Sequence, residues 1–271
     1  DEGGIRVFRV RSQYHERWRA WLSIYNPQTV RVIAKILFEI KPDVVHAHNI
    51  HYHLSYYSLK VARKFSKKIF FTAHDVMTFA YTKFWPKEKD CEHINYRMNF
   101  WQNLAVAKKR FNPFRNLLIK KYLGYCYKIF TVSDALGEAL RQNGIKNIVT
   151  VYNGLDVETG GKTSGVEPAP DVEELVETSA LKGKKVALLA GRISHEKGAY
   201  LLIEIMPEIK KAVPGAVLFF VGVVDDERQK YIAYAKNFGV KDYIILSGWV
   251  DERGMDEAYR LSDIVLNPSL I

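Results

Sequence analysis

Arg192 and Lys197 lie in the stretch VALLAGRISHEKG, residues 186–198, where a short apolar run gives way to a Gly-Arg turn and then to a helical pattern. A guanidinium is a flat fork that grips phosphate oxygens, and an ammonium is a mobile point charge. Set beside the free N–H groups of a helix N-terminus, the two would hold a phosphate or a diphosphate. The same residues also fit a solvated loop in which Arg192, Glu196 and Lys197 form an ion pair, and this stretch by itself leaves the two readings level. A second chemical concentration is HAHNIHYH, which supplies His46, His48, His51 and His53. On a strand His46 and His48 share a face, but His51 and His53 fall past its end, and no Cys or acid joins them at a familiar ligand spacing. Cys91 with His93 is a lone Cys-x-His, so no metal is expected. The glycine-bearing loops do not form Gly-x-Gly-x-x-Gly, which argues against a dinucleotide oxidoreductase.

These residues need elements to hold them. Ile5–Val10 alternates apolar and basic residues as a strand does. Pro27 suits the first turn of a helix with Val30, Ile33, Ala34, Leu37 and Phe38 on one face, ending at Lys41-Pro42. Strands follow at Asp43–Ala47 and Ile69–Thr72, with a helix at Leu54–Phe65 between them. From Val76 to Met98 runs a long irregular stretch rich in aromatics (Phe79, Tyr81, Phe84, Trp85, Tyr96), of the kind that serves as a lid or binding loop. A helical region at Phe100–Tyr127, interrupted near Asn112-Pro113, leads to a strand at Lys128–Val132. Ser133-Asp134 caps a helix that stops at Asn143-Gly144, Ile148–Tyr152 is a strand, and Asn153–Asp156 is a turn.

The composition then changes to TGGKTSGVEPAP, a linker or surface loop, so the domains are expected at 1–156 and 157–271. Beyond it the alternation restarts with strands at Val186–Ala190, Ala216–Val221, Tyr243–Leu246 and Asp263–Leu266. Helices lie between them, reaching Val213 and covering Asp225–Phe238 and Glu252–Leu261. Strict alternation implies right-handed crossovers and parallel sheets. An α/β architecture of two Rossmann-like domains facing a cleft follows, and the abrupt start and end read as an apparent truncation.

Charge divides the chain. Residues 1–150 carry 26 Lys plus Arg against 11 Asp plus Glu, whereas residues 151–271 carry 14 against 19, within an overall charge of +10. A basic half can face anionic lipid, nucleic acid or a phosphorylated substrate, and many of its charges simply decorate solvated helices such as Lys108–Lys121. No run approaches the roughly eighteen apolar residues of a membrane span, the first residues lack the order of a signal peptide, and two cysteines make no disulfide framework. A soluble, cytoplasmic protein is expected.

Seven stretches in this order resemble the retaining glycosyltransferases of family 4, which have the GT-B fold: PDVVHAHNIH, FFTAHD, TVSDAL, VYNGLD, AGRISHEKG, GWVD and SDIVLNPS. The resemblance implies transfer of a sugar, of hexosyl type, from a nucleotide-sugar donor to an acceptor hydroxyl, without a metal or other cofactor. It implies His74 as the catalytic histidine of the first domain, near the donor sugar, with a neighbouring carboxylate, Asp75, able to orient it. The implied substrate-binding residues are Gly191, Arg192 and Lys197 at the diphosphate, Trp249 and Val250 in the loop that meets the base through its backbone, Asn267 and Ser269 near the nucleotide, and Asn153.

The sequence departs from the family in lacking the glycine-rich loop after the first strand. The acidic pair that holds the donor sugar should begin just after Ser269. The acceptor is expected on the first domain as a sugar, a polysaccharide or a lipid-linked molecule, with peripheral contact to an anionic inner membrane face through the basic half. An epimerase of the same architecture, or a non-catalytic binding module, are the alternatives; no nucleic-acid motif is present.

Overall fold

The computed structural model describes residues 4–13, 15–82, 95–154, 181 and 183–269. The chain divides into two compact units, Asp1–Gly154 and Leu155–Ile271.

In the first unit the described elements run α1 (Arg19–Leu22), α2 (Pro27–Ile40), β1 (Val44–His48), α3 (Tyr57–Ala62), β2 (Lys68–Ala73), α4 (Phe100–Ala107), α5 (Arg115–Leu123), β3 (Lys128–Thr131), α6 (Asp134–Gln142) and β4 (Ile148–Thr150). The four strands make a sheet in the order β1-β2-β3-β4, every pair parallel. Local chemistry sets the boundaries. Asn26 caps α2 by accepting from the Gln28 N–H, Pro27 fills the first helical position, and Lys41 closes the helix in the left-handed conformation. Ser133 caps α6 in the same way, accepting from the Leu136 N–H.

Burial is concentrated where the helices cover the sheet. Ile69, Phe71 and Ala73 of β2 and Ile129 of β3 pack with Leu59, Ile119, Leu123 and Leu140. Cys126 sits in this core, and burial pushes its thiol up to about 12, so it stays protonated. Cys91 lies outside the described residues.

Several expectations are corrected. Ile5–Val10 is no strand: Ile5 makes an isolated bridge and residues 6–13 have no regular structure, because alternation forms a strand only where a partner edge exists. Phe38 is solvent-exposed instead of joining the buried face of α2. The expected helix to Phe65 is shorter, whereas the helical region expected at Phe100–Tyr127 has its expected interruption at Asn112-Pro113, the break beginning with a 3-10 turn at Lys108–Arg110 and the second helix ending at Leu123. Of the aromatics between β2 and α4, Phe79 is buried and Tyr81 and Tyr96 are half-buried, whereas Phe84 and Trp85 lie outside the described residues, as do Leu155, Asp156 and the proposed linker.

Buried amides tie the irregular backbone down. Asn143 Nδ2 donates to the carbonyls of Tyr96 (2.6 Å) and Ala139 (2.8 Å), and its Oδ1 accepts from the Met98 N–H at 2.9 Å. Gln142 adds an acceptor for the Tyr96 N–H at 2.8 Å. One amide thus closes α6 and fastens the approach to α4.

The second unit runs β5 (Lys185–Ala190), α7 (Ala199–Ala212), β6 (Ala216–Val221), α8 (Asp225–Asn237), β7 (Ile244–Ser247), α9 (Glu252–Arg260) and β8 (Ile264–Val265). The sheet order is β7-β6-β5-β8, again all parallel. β6 is buried at every position, as a central strand covered on both faces must be.

Replacing Asn143 with Ala removes the side-chain donor to the Tyr96 carbonyl and the side-chain acceptor of the Met98 N–H, while the backbone N–H of residue 143 still reaches the Ala139 carbonyl. Urea denaturation is expected to show a loss on the order of 1–3 kcal/mol, and an unchanged midpoint would refute the clamp.

Candidate functional site

The carboxyl edge of the second sheet is built by backbone meeting backbone. The Gly191 N–H donates to the Val221 carbonyl at 3.0 Å and the Ile193 N–H to the Gly222 carbonyl at 3.3 Å, carrying the pairing of β5 and β6 past the strand ends. Gly222 in turn donates to the Gly248 carbonyl at 2.8 Å. A Cβ on Gly222 would lie 2.3 Å from the Gly191 carbonyl oxygen, and the residue's φ is +96°, so only glycine fits. Gly198, at φ +77°, is under the same constraint: a Cβ there would sit 2.4 Å from the Pro268 carbonyl oxygen. The loops after β5, β6, β7 and β8 therefore converge at the start of α7.

Gly198 is the N-cap of α7 and offers no side-chain acceptor to the helix. The Ala199 N–H turns back to the Ser194 carbonyl at 3.5 Å, while the N–H groups of Tyr200 and Leu201, at the positive end of this 14-residue helix, have no side-chain cap. Arg192 and Lys197 are exposed here, and no ion pair joins Arg192, Glu196 or Lys197 to another described residue. Of the two readings left level by the sequence, the ion-paired loop has no support among the described residues.

Asn267 is exposed, its Oδ1 accepting from Ser269 Oγ at 2.8 Å. Trp249 is exposed, whereas Val250 is packed in the core with Leu188, Val217 and Phe219, so Val250 can meet a ligand only through its backbone. Asp251 closes that loop by capping α9, accepting from the Gly254 N–H at 2.8 Å.

His74 and Asn153 belong to the first unit, at the carboxyl edge of its sheet. The register pairs His46 with Phe70 and His48 with Thr72, so His46, His48, Thr72 and His74 share one face. His46 Nε2 lies 2.8 Å from Thr72 Oγ1, and His48 Nδ1 lies 3.1 Å from His74 Nε2. The His46 and His48 rings are 4.1 Å apart. Desolvation lowers the pKa of both His46 and His48, reinforced by His74 at His46 and by His46 and then His74 at His48.

The expected orientation of His74 by Asp75 is not what the structure has. One Asp75 oxygen accepts from the Met77 N–H at 2.9 Å and the other faces buried His51 at 3.7 Å. His48 takes the place of that carboxylate. Sequence reasoning misses His48 as a partner, although two parallel strands each ending in an outward histidine are the available signal.

At the next edge position Tyr152 donates to Asp134 at 2.7 Å, which fixes the chain beside Asn153. That bond, helped by Thr150, holds the Asp134 carboxyl below the usual carboxylate range and raises the Tyr152 phenol. Among the described residues no group of three or more His, Cys, Asp or Glu is placed to hold a metal ion.

A family model described as Glycosyltransferase Family 4 matches residues 2–159, and one described as Glycosyl transferases group 1 matches residues 171–271. Spore coat protein SA of Bacillus subtilis is 28% identical over 145 residues, covering 51% of this chain and 38% of its own length. A phosphatidylinositol N-acetylglucosaminyltransferase subunit from Arabidopsis thaliana is 23% identical over 99% of this chain, which spans 51% of that protein. The chain thus spans about half, or less, of the length of these curated relatives.

Among solved structures, Anabaena HepE in complex with UDP aligns with a TM-score of 0.55 at 17% identity, covering 89% of this chain and 57% of that one. The catalytic domain of Arabidopsis starch synthase IV bound to ADP and acarbose aligns at 0.53 and 16% identity, covering 89% and 55%. These similarities show a GT-B type α/β fold.

In the folded protein His46 and His48 bind protons less readily than in the unfolded chain. Their contribution to stability is present above pH 6.5 and is lost as pH falls through and below that value. Proton NMR titration is expected to place both midpoints below 6.5, and His74→Ala should raise both by removing its repulsion. Midpoints unmoved by that substitution would break the triad apart.

Proposed function

The chain belongs to Glycosyltransferase Family 4, and from that premise we propose that it contributes to a retaining glycosyltransferase acting on a nucleotide-sugar donor. The observation that carries the reading is the pair of exposed, unbridged cations, Arg192 and Lys197, beside the uncapped N-terminus of α7. A flat fork, a mobile cation and helix N–H donors together suit a diphosphate. The structural neighbours HepE and starch synthase IV, solved with UDP and ADP, support the same ligand class.

In the proposed reaction the bond between the anomeric carbon and the donor phosphate oxygen breaks and a bond from the acceptor hydroxyl oxygen forms, with the anomeric configuration kept. The hydroxyl proton ends on the departing nucleoside diphosphate. Negative charge grows on that leaving group, and Arg192, Lys197 and the first turn of α7 stabilise it. The backbone N–H of Gly191 is already committed to Val221, so its part is to let the chain turn without a side chain. Trp249 and the Val250 backbone would face the base, and Asn267 and Ser269 the nucleotide. His74, steadied by its contact with His48, would donate a hydrogen bond to the donor, with Asn153 at the same edge.

A peripheral membrane contact is a second proposal, carried by an exposed aromatic surface on the basic unit. Phe100, Trp101, Phe114 and Leu117 are each more than half exposed, close in sequence to the exposed Lys108, Lys109, Arg110 and Lys121. No helix among the described residues is long and apolar enough to cross a membrane. Aromatic rings at headgroup depth and cations against anionic lipid would give salt-sensitive attachment.

Calorimetric titration with UDP, GDP and ADP is expected to select one nucleotide. Arg192→Ala and Lys197→Ala should each weaken it by about 1–3 kcal/mol. Equal affinity in both variants would remove the donor-site assignment.

A further inference from the structure

The amides that hold the irregular backbone of the first unit also line a cavity of about 190 Å³. It lies between α4, α5 and the end of α6, and its wall includes Asn103, Asn112, Asn116 and Asn143 together with the rings of Phe100 and Phe111. α6 starts at the carboxyl edge of the sheet, where β3 ends, and returns to the amino edge, where β4 begins. Asn143, just past the last turn of α6, therefore sets this part of the cavity toward the amino edge, away from His74 and Asn153.

Two of the four amides are fully engaged. Asn143 is committed as described above, and Asn116 donates to the Phe79 carbonyl at 2.6 Å while accepting from Arg115 at 2.8 Å. The other two are half used. Asn112, 1% exposed, accepts from the Phe114 N–H at 3.0 Å through Oδ1, and its Nδ2 has no partner among the described residues. Asn103, 5% exposed, donates through Nδ2 to the Asn99 carbonyl at 3.1 Å, and its Oδ1 has no partner among them. Exchanging oxygen for nitrogen cures neither amide, because Asn112 must present an acceptor to an N–H and Asn103 a donor to a carbonyl. Unmet polar atoms at this depth are costly and call for a cause.

The spare capacities are opposite in kind, a donor on Asn112 and an acceptor on Asn103. A hydroxyl serves both, since it accepts and donates at once, whereas a carboxylate serves only the first and an ammonium only the second. Water has the same valence, but about 190 Å³ is more than ten times the roughly 10–15 Å³ that one water needs. The wall is also partly aromatic: the Phe111 ring centre lies 5.1 Å from that of Phe100 and 5.8 Å from that of Tyr81. Rings offer an apolar face to the C–H side of a pyranose, and amides meet its hydroxyls. Solvent does not reach the two unpartnered atoms, but the last torsion of an asparagine is soft, and a small swing turns either one to a hydroxyl in the cavity.

We propose that this cavity binds one neutral sugar residue, at a site separate from the donor site and from the histidine edge. Binding does not depend on the transferase reading, because no residue of the cavity belongs to the Arg192–Lys197 loop. Only the role rests on that reading: in a transferase the site would hold an already formed saccharide by a unit other than the one that reacts.

The test is a proton–nitrogen NMR titration of the whole chain with the methyl glycosides of glucose, galactose, mannose and N-acetylglucosamine, read at the side-chain amide signals of Asn103 and Asn112. At least one glycoside is expected to shift both signals saturably. Asn103→Leu removes the unpartnered oxygen while the Asn99 carbonyl still accepts the backbone N–H of residue 103 at 3.1 Å. It should weaken binding at least about tenfold without lowering the thermal midpoint. Phe100→Ala, at a position 53% exposed, should weaken binding as well, and it carries the test if Asn103→Leu does not fold. No shift of the two signals with any of these glycosides would overturn the site, as would unchanged affinity in either variant that folds. Shifts confined to the surroundings of His74 would put the sugar elsewhere and overturn it too. None of these outcomes touches nucleotide binding, which is read through Arg192 and Lys197.

Discussion

The second unit depends on one steric fact: backbone, not side chains, fills the space where its strands end. Gly222 comes so close to the Gly191 carbonyl that a single methyl would collide, and Gly198 meets Pro268 in the same way. This lets the loops after four successive strands gather at the edge of one sheet, beside the start of α7. Because Gly198 also brings no capping acceptor, the N–H groups of Tyr200 and Leu201 have no side-chain cap, although Ala199 donates to the Ser194 carbonyl. A serine or aspartate cap would stabilise the helix and compete with an anion for those donors. The proposed donor site would thus be defined as much by the atoms these glycines lack as by the charges of Arg192 and Lys197.

The first unit solves a different problem with a different device. Its sheet is regular, but the segments between β2 and α5 are irregular and must be held by side chains that reach main-chain groups. Asn143, Asn112, Tyr81, Asn116 and Arg115 do this, each bonding to backbone carbonyls or N–H groups. Such bonds are worth little individually when exchanged for water, yet leaving a buried carbonyl unmet is expensive, so their effect is to select one loop path over the alternatives. Arg115, 1% exposed and donating to the Met77 carbonyl and to Asn116, is the innermost member of this scaffold.

What is legible in the sequence follows from where the determining forces are local. The bounds of β6 can be read directly because a strand buried on both faces must be apolar throughout, and the start of α2 because Asn26 and Pro27 are both caps by their own chemistry. Arg192 and Lys197 are legible because a turn between a buried strand and a helix has only one place to be. Ile5–Val10 misleads since alternation describes a surface, and without a neighbouring edge it describes nothing. The roles of His48 and Asp75 are hidden because the contacts that matter cross between strands: register puts His48 against His74, while Asp75 spends its carboxylate on its own turn and on His51. Arg115 is hidden more deeply, since a lysine- and arginine-rich helix gives no sign of which cation turns inward.

Charge makes the same point at larger scale. The first unit is strongly basic and the second mildly acidic, yet Arg192 and Lys197, the cations of the proposed donor site, lie in the acidic one. Over distances longer than a Debye length of about 8 Å the net charge of a unit is screened, and a ligand at contact feels only the groups around it. Two cations beside a helix terminus, joined by no ion pair to a described acid, would attract a diphosphate whatever the unit's total, as the proposed donor site requires. The excess of the first unit is likewise meaningful only where it is concentrated, as in the Lys108–Arg110 turn. A total of +10 reports neither place; the three consecutive cations of the Lys108–Arg110 turn and the two that flank the start of α7 report both.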